Sequence, residues 1–142
     1  MDALEWGKAV AGWQLSISLD KESVPWFEPV FLSIVLKNAG PETQRIQETT
    51  RWAYDLQVED DEGTVPRTRF GMAVQAGRSE APHLPIAVGP GETFICEVPI
   101  SRMFDLSEGG VFRIRAARAD LGGRLKGAVV VSNEVSLEIG EE

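Results

Sequence analysis

The chain is poor in the residues on which much enzyme and redox chemistry depends. It has one cysteine, Cys96, and one histidine, His83. That is too few for a zinc-type His/Cys cluster, a thiol redox pair or an internal disulfide, and a lone cysteine leaves the redox compartment open. Long apolar runs are missing as well. Stretches such as Val30 to Leu36 and Ala128 to Val131 fall far short of the roughly 20 residues that cross a bilayer as a helix, so no membrane insertion is expected. Cations are scarce, with 14 Lys and Arg against 22 Asp and Glu and a formal net charge of −8. Such a balance repels phosphate backbones and anionic lipid, and no nucleic-acid partner is expected. The opening Met1-Asp2-Ala3-Leu4-Glu5-Trp6 carries acids where a secretory signal has a basic stretch and then an apolar one. No signal peptide is expected in the chain, and both a cytoplasmic protein and part of an exported one fit.

What is present is the composition of an ordinary folded domain. The 142 residues are 43% hydrophobic and 25% charged, enough for one core and unlike disordered or collagen-like chains. Period-two alternation dominates, the mark of strands with one face inward. Trp13, Leu15, Ile17 and Leu19 alternate with Gln14, Ser16 and Ser18. Val30, Leu32, Ile34 and Leu36 form a second inward set, and Phe31 and Val35 make its other face apolar too, until Lys37-Asn38-Ala39-Gly40-Pro41 stops the run. Trp52, Tyr54, Leu56 and Val58 lead into Asp60-Asp61-Glu62-Gly63 and on to Thr64-Val65, which predicts a hairpin with an acidic tip.

Gly71 to Leu84 shows neither period and reads as a surface connection with room for an edge strand. Beyond Gly89-Pro90-Gly91, the residues Phe94, Cys96, Val98 and Ile100 alternate with Thr93, Ile95, Glu97 and Pro99, which points Cys96 inward as an inert core thiol. A single helical turn near Ser101 to Asp105 is the one helix expected. Val111 to Arg118, Ala128 to Val131 and Val135 to Ile139 complete about seven or eight short strands separated by Gly, Pro, Asn and Asp. The predicted fold is all-β, a single immunoglobulin-like antiparallel sandwich spanning residues 1–142, with no repeat or linker dividing it.

Particular residues carry a family resemblance. Trp6-Gly7, Val10-Ala11-Gly12-Trp13-Gln14-Leu15 and Glu28-Pro29-Val30 through Asn38-Ala39-Gly40 resemble the opening of bacterial immunoglobulin-like domains. Leu56-Gln57-Val58-Glu59-Asp60, Gly63-Thr64-Val65, Val88-Gly89-Pro90-Gly91-Glu92 and Gly110-Val111-Phe112-Arg113-Ile114 follow in the order seen in the bacterial intracellular proteinase inhibitor family. Val131-Ser132-Asn133-Glu134-Val135 is similar to the last strand of many such modules. The resemblance implies a sandwich that binds proteins, and in the inhibitor family a loop offered to a protease. Two departures stand out. Phe27 replaces the Gly that precedes Glu-Pro in the pattern, and Phe112 replaces a Tyr whose hydroxyl usually bonds backbone at the sandwich corner. No inhibitory contact motif matches residue by residue.

Among candidate sites, Val24-Pro25-Trp26-Phe27-Glu28-Pro29 places two large aromatics in a Pro-bounded connection. Trp26 and Phe27 either fold back as a lid over one end of the sandwich or anchor a partner, by docking in a protein groove or stacking on a sugar. Trp6 and Trp52 are further aromatics, Trp52 reading as core. Arg113 and Arg115 share one strand face, with Arg118, Arg124 and Lys126 following. They either receive an acidic partner or pair with the chain's own acids around Glu59 to Glu62. That acidic run lacks the alternating spacing of a calcium loop, so no metal site is expected. His83 stands in Ala81-Pro82-His83-Leu84-Pro85 with no nucleophile elbow, phosphate loop or dinucleotide fingerprint anywhere in the chain, and no cofactor is expected. The functional expectation is a noncatalytic protein-recognition or structural module, with proteinase inhibition and carbohydrate binding as alternatives. The sequence sets neither the partner nor the oligomeric state.

Overall fold

The computed structural model describes residues 4–26, 28–48, 54–77, 84–118 and 129–140. The first strands are β1 (Trp13–Leu19), β2 (Ser23–Val24), β3 (Leu32–Asn38) and β4 (Gln44–Glu48). Next come β5 (Asp55–Asp60), β6 (Gly63–Thr64), helix α1 (Arg69–Gly77), β7 (Leu84–Val88) and β8 (Thr93–Val98). A short helix α2 (Ile100–Met103) leads to β9 (Gly110–Arg118), β10 (Val130–Val131) and β11 (Val135–Ile139). One sheet has the order β1-β3-β8; the facing sheet has the order β2-β11-β9-β5-β6, with β10 also on β9; β4 and β7 form a separate two-stranded ribbon. The fold is an all-β sandwich.

Alternation explains the core. Trp13, Leu15 and Ile17 of β1, Leu32, Ile34 and Leu36 of β3, Phe112, Ile114 and Ala116 of β9, and Leu137 and Ile139 of β11 are buried between the sheets. Each large apolar side chain removed from water stabilises the fold by roughly 1.5–3 kcal/mol. Cys96 turns inward as its register requires and packs against this core, while keeping part of its surface exposed. The second face of β3 divides: Val35 is buried and Phe31, just before the strand, is exposed. Lys37 and Asn38, expected to end the strand, continue it. Asn38 is fully buried. Its Nδ2 donates to the carbonyls of Glu42 (2.7 Å) and Val88 (2.8 Å), and its Oδ1 accepts from Gly40 N–H (3.0 Å). It is a turn residue with every hydrogen bond made, which is how a buried amide avoids its desolvation cost.

The acidic hairpin forms as a two-residue turn. Asp60 pairs with Gly63, Glu62 N–H donates to Asp60 Oδ1 (2.8 Å), and Gly63 takes φ +123°, where a side chain would be strained. Trp52 at the start of this run lies outside the described residues.

Three readings need correction. The aperiodic stretch expected as a connection begins as helix α1. Thr68 caps it, its Oγ1 accepting from Gly71 N–H (3.0 Å), as a threonine at a helix start does. Gly71, which looks like a breaker, is required by packing: a Cβ there would lie 2.1 Å from the Met103 carbonyl oxygen. Strand β4 was not foreseen, because Gln44-Arg45-Ile46-Gln47-Glu48 carries a single apolar residue, Ile46, which is buried. Arg118 does not join the exposed arginines. It shares the inward parity of Phe112, Ile114 and Ala116, is fully buried, and stacks on Tyr54 with its guanidinium 5.2 Å from the ring centroid.

The two sheets are tied at one edge by Ser132 and Asn133. Ser132 extends the β10 pairing to β9, its N–H donating to the Ala116 carbonyl (2.9 Å) and its Oγ accepting from Ala116 N–H (2.9 Å). Asn133 then crosses to β1. Its Oδ1 accepts from Ile17 N–H (2.8 Å) and its Nδ2 donates to the Ile17 carbonyl (3.1 Å). One side chain thus completes the backbone of an edge strand that would otherwise be open there.

Candidate functional site

The Pro-bounded connection after β2 lies at one end of the sandwich. Trp26 is half-buried and packs against the core. Its Nε1–H donates to the carbonyl of Ser107 (2.9 Å), so the ring is held in place and lines a cleft of about 370 Å³. Phe27 lies outside the described residues. The cleft floor is Phe104, Leu106 and Ile139, all buried, and Pro29, Glu28 and Arg102 stand at its sides.

Local structure positions each wall. Helix α2 follows Pro99, and Ser101 on it ties to the start of β3, its Oγ accepting from Val30 N–H (2.9 Å). Thr68 Oγ1 also donates to the Arg102 carbonyl (2.5 Å), joining the two helices. Arg102 stacks over Phe70, with its guanidinium 4.5 Å from the ring centroid. Asp105 shapes the turn that presents Ser107. Its Oδ1 accepts from Ser107 Oγ–H (2.5 Å) and Ser107 N–H (3.1 Å), an Asx turn.

Those hydrogen bonds from the Ser107 hydroxyl and then its N–H hold the Asp105 carboxyl below the ordinary carboxylate range, against a small opposing effect of burial. Because the folded value is depressed, the contribution to stability is present above the unfolded value and is lost as pH falls through the folded one. A carbon-detected NMR titration should therefore place Asp105 below the usual value of about 3.9. Ser107→Ala should move it back toward that value. A titration at the ordinary value in the unmodified protein would contradict the turn.

Arg113 and Arg115 sit on the outer face of β9, not at the cleft. Arg113 Nη2 donates to the Asp60 carbonyl (3.1 Å), and its Nη1 lies 3.7 Å from Asp61 Oδ1. Arg115 Nη2 lies 3.1 Å from Glu134 Oε1. Both meet the chain's own acids, in exposed pairs of the kind that contribute about 0–1 kcal/mol. Trp26 and the two arginines thus occupy different surfaces. Trp6 lies elsewhere again, beneath the Lys37 ammonium at 5.4 Å. Arg124, Lys126 and His83 are outside the described residues, and among the described ones no three His, Cys, Asp or Glu side chains converge.

Sequence reasoning missed the cleft floor. Phe104 falls in the stretch read as one helical turn and Leu106 just beyond it, and the Asp105-x-Ser107 spacing was the available signal of the turn between them and β9.

No protein-family model matches the sequence, and no curated protein matches it. Among solved structures, the chain is similar to the Pseudomonas fluorescens alkylpurine DNA glycosylase AlkC bound to DNA containing an abasic site analog. The sequence identity is 11% and the TM-score 0.45, covering 92% of this chain and 31% of that one. A β-glucosidase from Listeria innocua in complex with isofagomine gives 14% identity and TM-score 0.42, covering 90% of this chain and 16% of that one. The CARDB domain of a Pyrococcus furiosus protein in complex with di-metal ions gives 12% identity and TM-score 0.41, covering 95% of this chain and 100% of that one. The chain thus spans 31% and 16% of the two enzyme chains.

Proposed function

We propose that the chain is a noncatalytic immunoglobulin-like module that recognises another protein at the sandwich end where Trp26 borders the cleft. The strand order supports the immunoglobulin-like part. β1-β3-β8 facing β11-β9-β5 corresponds to the A-B-E and G-F-C arrangement of that fold.

One observation carries the recognition reading: the cleft pairs an apolar lining of Trp26, Pro29, Phe104, Leu106 and Ile139 with polar groups that already make hydrogen bonds within the chain. Trp26 Nε1, Thr68 Oγ1, Ser101 Oγ and the Asp105 carboxylate all have partners of their own. Half-buried Trp26 and exposed Pro29 border the cleft above that buried apolar floor, with Arg102 and Glu28 beside them. Such a surface offers shape and apolar area to an inserted side chain, the anchor-in-pocket geometry of protein interfaces. Arg113 and Arg115 would have to release Asp61 and Glu134 before receiving an acidic partner, so the cleft is the stronger site.

The test is affinity capture from the source organism's extract with the unmodified chain, Trp26→Ala and Pro29→Arg, each confirmed folded. Pro29 is exposed, so Pro29→Arg obstructs the cleft without removing core. A protein retained by the unmodified chain and lost, by tenfold or more in apparent affinity (about 1.4 kcal/mol), with both variants is the expected result. Equal retention by all three would overturn the reading. Capture of a protease would identify the partner class that the resemblance to the proteinase inhibitors implies.

A further inference from the structure

Among the described residues, strand β8 pairs with β3 alone, and the direction of its outward backbone groups follows from the far side of the same sheet. Trp13 exchanges hydrogen bonds with Val10, the Leu15 carbonyl accepts from Gly7, and both backbone groups of Ile17 bond Asn133. These β1 residues therefore turn away from β3. Antiparallel alternation then directs Ser33, Val35 and Lys37 of β3 to β1, and Leu32, Ile34 and Leu36 to β8. The bonds from Asn38 N–H to the Glu92 carbonyl and from Gly91 N–H to the Asn38 carbonyl continue the same phase. Phe94, Cys96 and Val98 thus use their backbone groups on β3. Thr93, Ile95 and Glu97 direct theirs outward.

The edge lacks the devices that usually block pairing, such as lysine, proline within the strand or a bulge. Thr93-Phe94-Ile95-Cys96-Glu97-Val98 has one charge, and Ile95 is 64% exposed, the most of any large hydrophobic among the described residues. By contrast, β1 is closed by Asn133 and the Gly7 segment, β2 and β6 have two residues each, and β7 carries Pro85.

We propose that β8 pairs with β8 of a second copy of this chain, antiparallel about a two-fold axis through Ile95, joining two three-stranded sheets into one of six strands. The register is self-complementary. An axis at Ile95 sets Ile95 against Ile95 of the second copy and Thr93 against its Glu97, so all three outward residues meet outward residues. Moving the axis to Cys96 opposes Thr93 to Pro99, which has no N–H, and moving it to Phe94 opposes Glu97 to Gly91. Charges agree with the same choice. No like charges face each other, and Lys37, the β3 partner of Thr93, lies in the row that receives Glu97 of the second copy. The central row becomes Val35, Ile95, Ile95 and Val35, an apolar stripe of the kind that stabilises cross-strand pairs. This contact is isologous and closes at two copies.

A single strand pairing is a small interface, so a concentration-dependent dimer is expected rather than a permanent one. A net charge of −8 on each copy opposes association, and added salt should strengthen it by screening. Sedimentation equilibrium tests this directly on the unmodified chain and on Ile95→Lys, from about 10 µM to about 1 mM. The weight-average mass of the unmodified chain should rise from 15.6 kDa toward double that value, more so at higher salt. Ile95→Lys should stay at the monomer mass with its melting temperature at low concentration unchanged, because Ile95 is exposed. A second variant, Ile95→Cys with Cys96→Ser, should form a cross-linked dimer on mild oxidation, since hydrogen-bonded strand partners have Cα atoms about 5.5 Å apart. A monomer at every concentration, or a dimer that survives Ile95→Lys, would overturn the proposal. Neither result bears on the Trp26 cleft.

Discussion

Trp13→Ala should lower the unfolding free energy by about 3–5 kcal/mol, the range for deleting a buried large aromatic. Trp13 is fully buried at the start of β1, in the cluster that includes Leu15, Leu36 and Val130. Domains of this size hold only about 5–15 kcal/mol in total, so the variant should unfold at much lower urea concentration with a similar slope. Trp13→Phe separates packing from polarity. The Trp13 indole N–H is buried without a hydrogen-bond partner, and such a group costs about 1–3 kcal/mol. Phenylalanine removes that cost while leaving a smaller cavity, so its loss should be well under half that of alanine. Equal losses for the two variants would show that the indole N–H contributes a bond.

Asn133→Ala should cost about 2–4 kcal/mol, because it strips partners from both the N–H and the carbonyl of Ile17, at about 1–3 kcal/mol for each group left in a partly buried place. The damage should be local in hydrogen exchange. The Ile17 amide, bonded to Asn133 Oδ1, should lose protection first, while Leu56 and Val58 on the facing sheet keep theirs until global unfolding. Asn133→Asp keeps an acceptor for Ile17 N–H but sets a carboxylate oxygen against the Ile17 carbonyl. It should preserve the amide's protection better than alanine does and still destabilise. If Ile17 exchanged at the same rate in all three proteins, Asn133 would not be the tie between the sheets.

How far these features could be read from the chain depends on how local their causes are. β1, β9 and β11 announce themselves because apolar residues alternate with polar ones along them, so the run of Trp13, Leu15 and Ile17 or of Phe112, Ile114 and Ala116 writes the core directly, although Ser16 on the polar face of β1 is buried as well. The same parity contained the burial of Arg118, obscured by grouping it with its charged neighbours. α1 was hidden by Gly71, whose presence reflects contact with Met103, a residue far along the chain. β4 was hidden because its partner β7 supplies the reason for the strand and Ile46 is its only buried apolar side chain. Val131-Ser132-Asn133-Glu134-Val135 carried the resemblance to known modules, and its physical role, spanning from β9 to β1, requires both sheets to be in place.

The candidate site divides in the same way. An aromatic in a Pro-bounded connection is legible, and Trp26 does line a cleft. The acceptor of its indole N–H is Ser107, 81 residues away, and no local pattern joins them. Ile95 was visible as an apolar residue on the outward face of a strand, but an edge is defined by which strands fail to pair, a property of the whole sheet.

The most direct test of the recognition account is the indole N–H resonance of Trp26 in the nitrogen-15-labelled chain, assigned by its loss in Trp26→Ala and followed as the captured protein is added. The account requires that resonance and the Ser107 and Leu106 amides to shift or broaden in step with binding, while the side-chain signals of Arg113 and Arg115 and the amides of β8 stay in place. Saturable binding that moves the outer face of β9 and leaves Trp26 unchanged would contradict it.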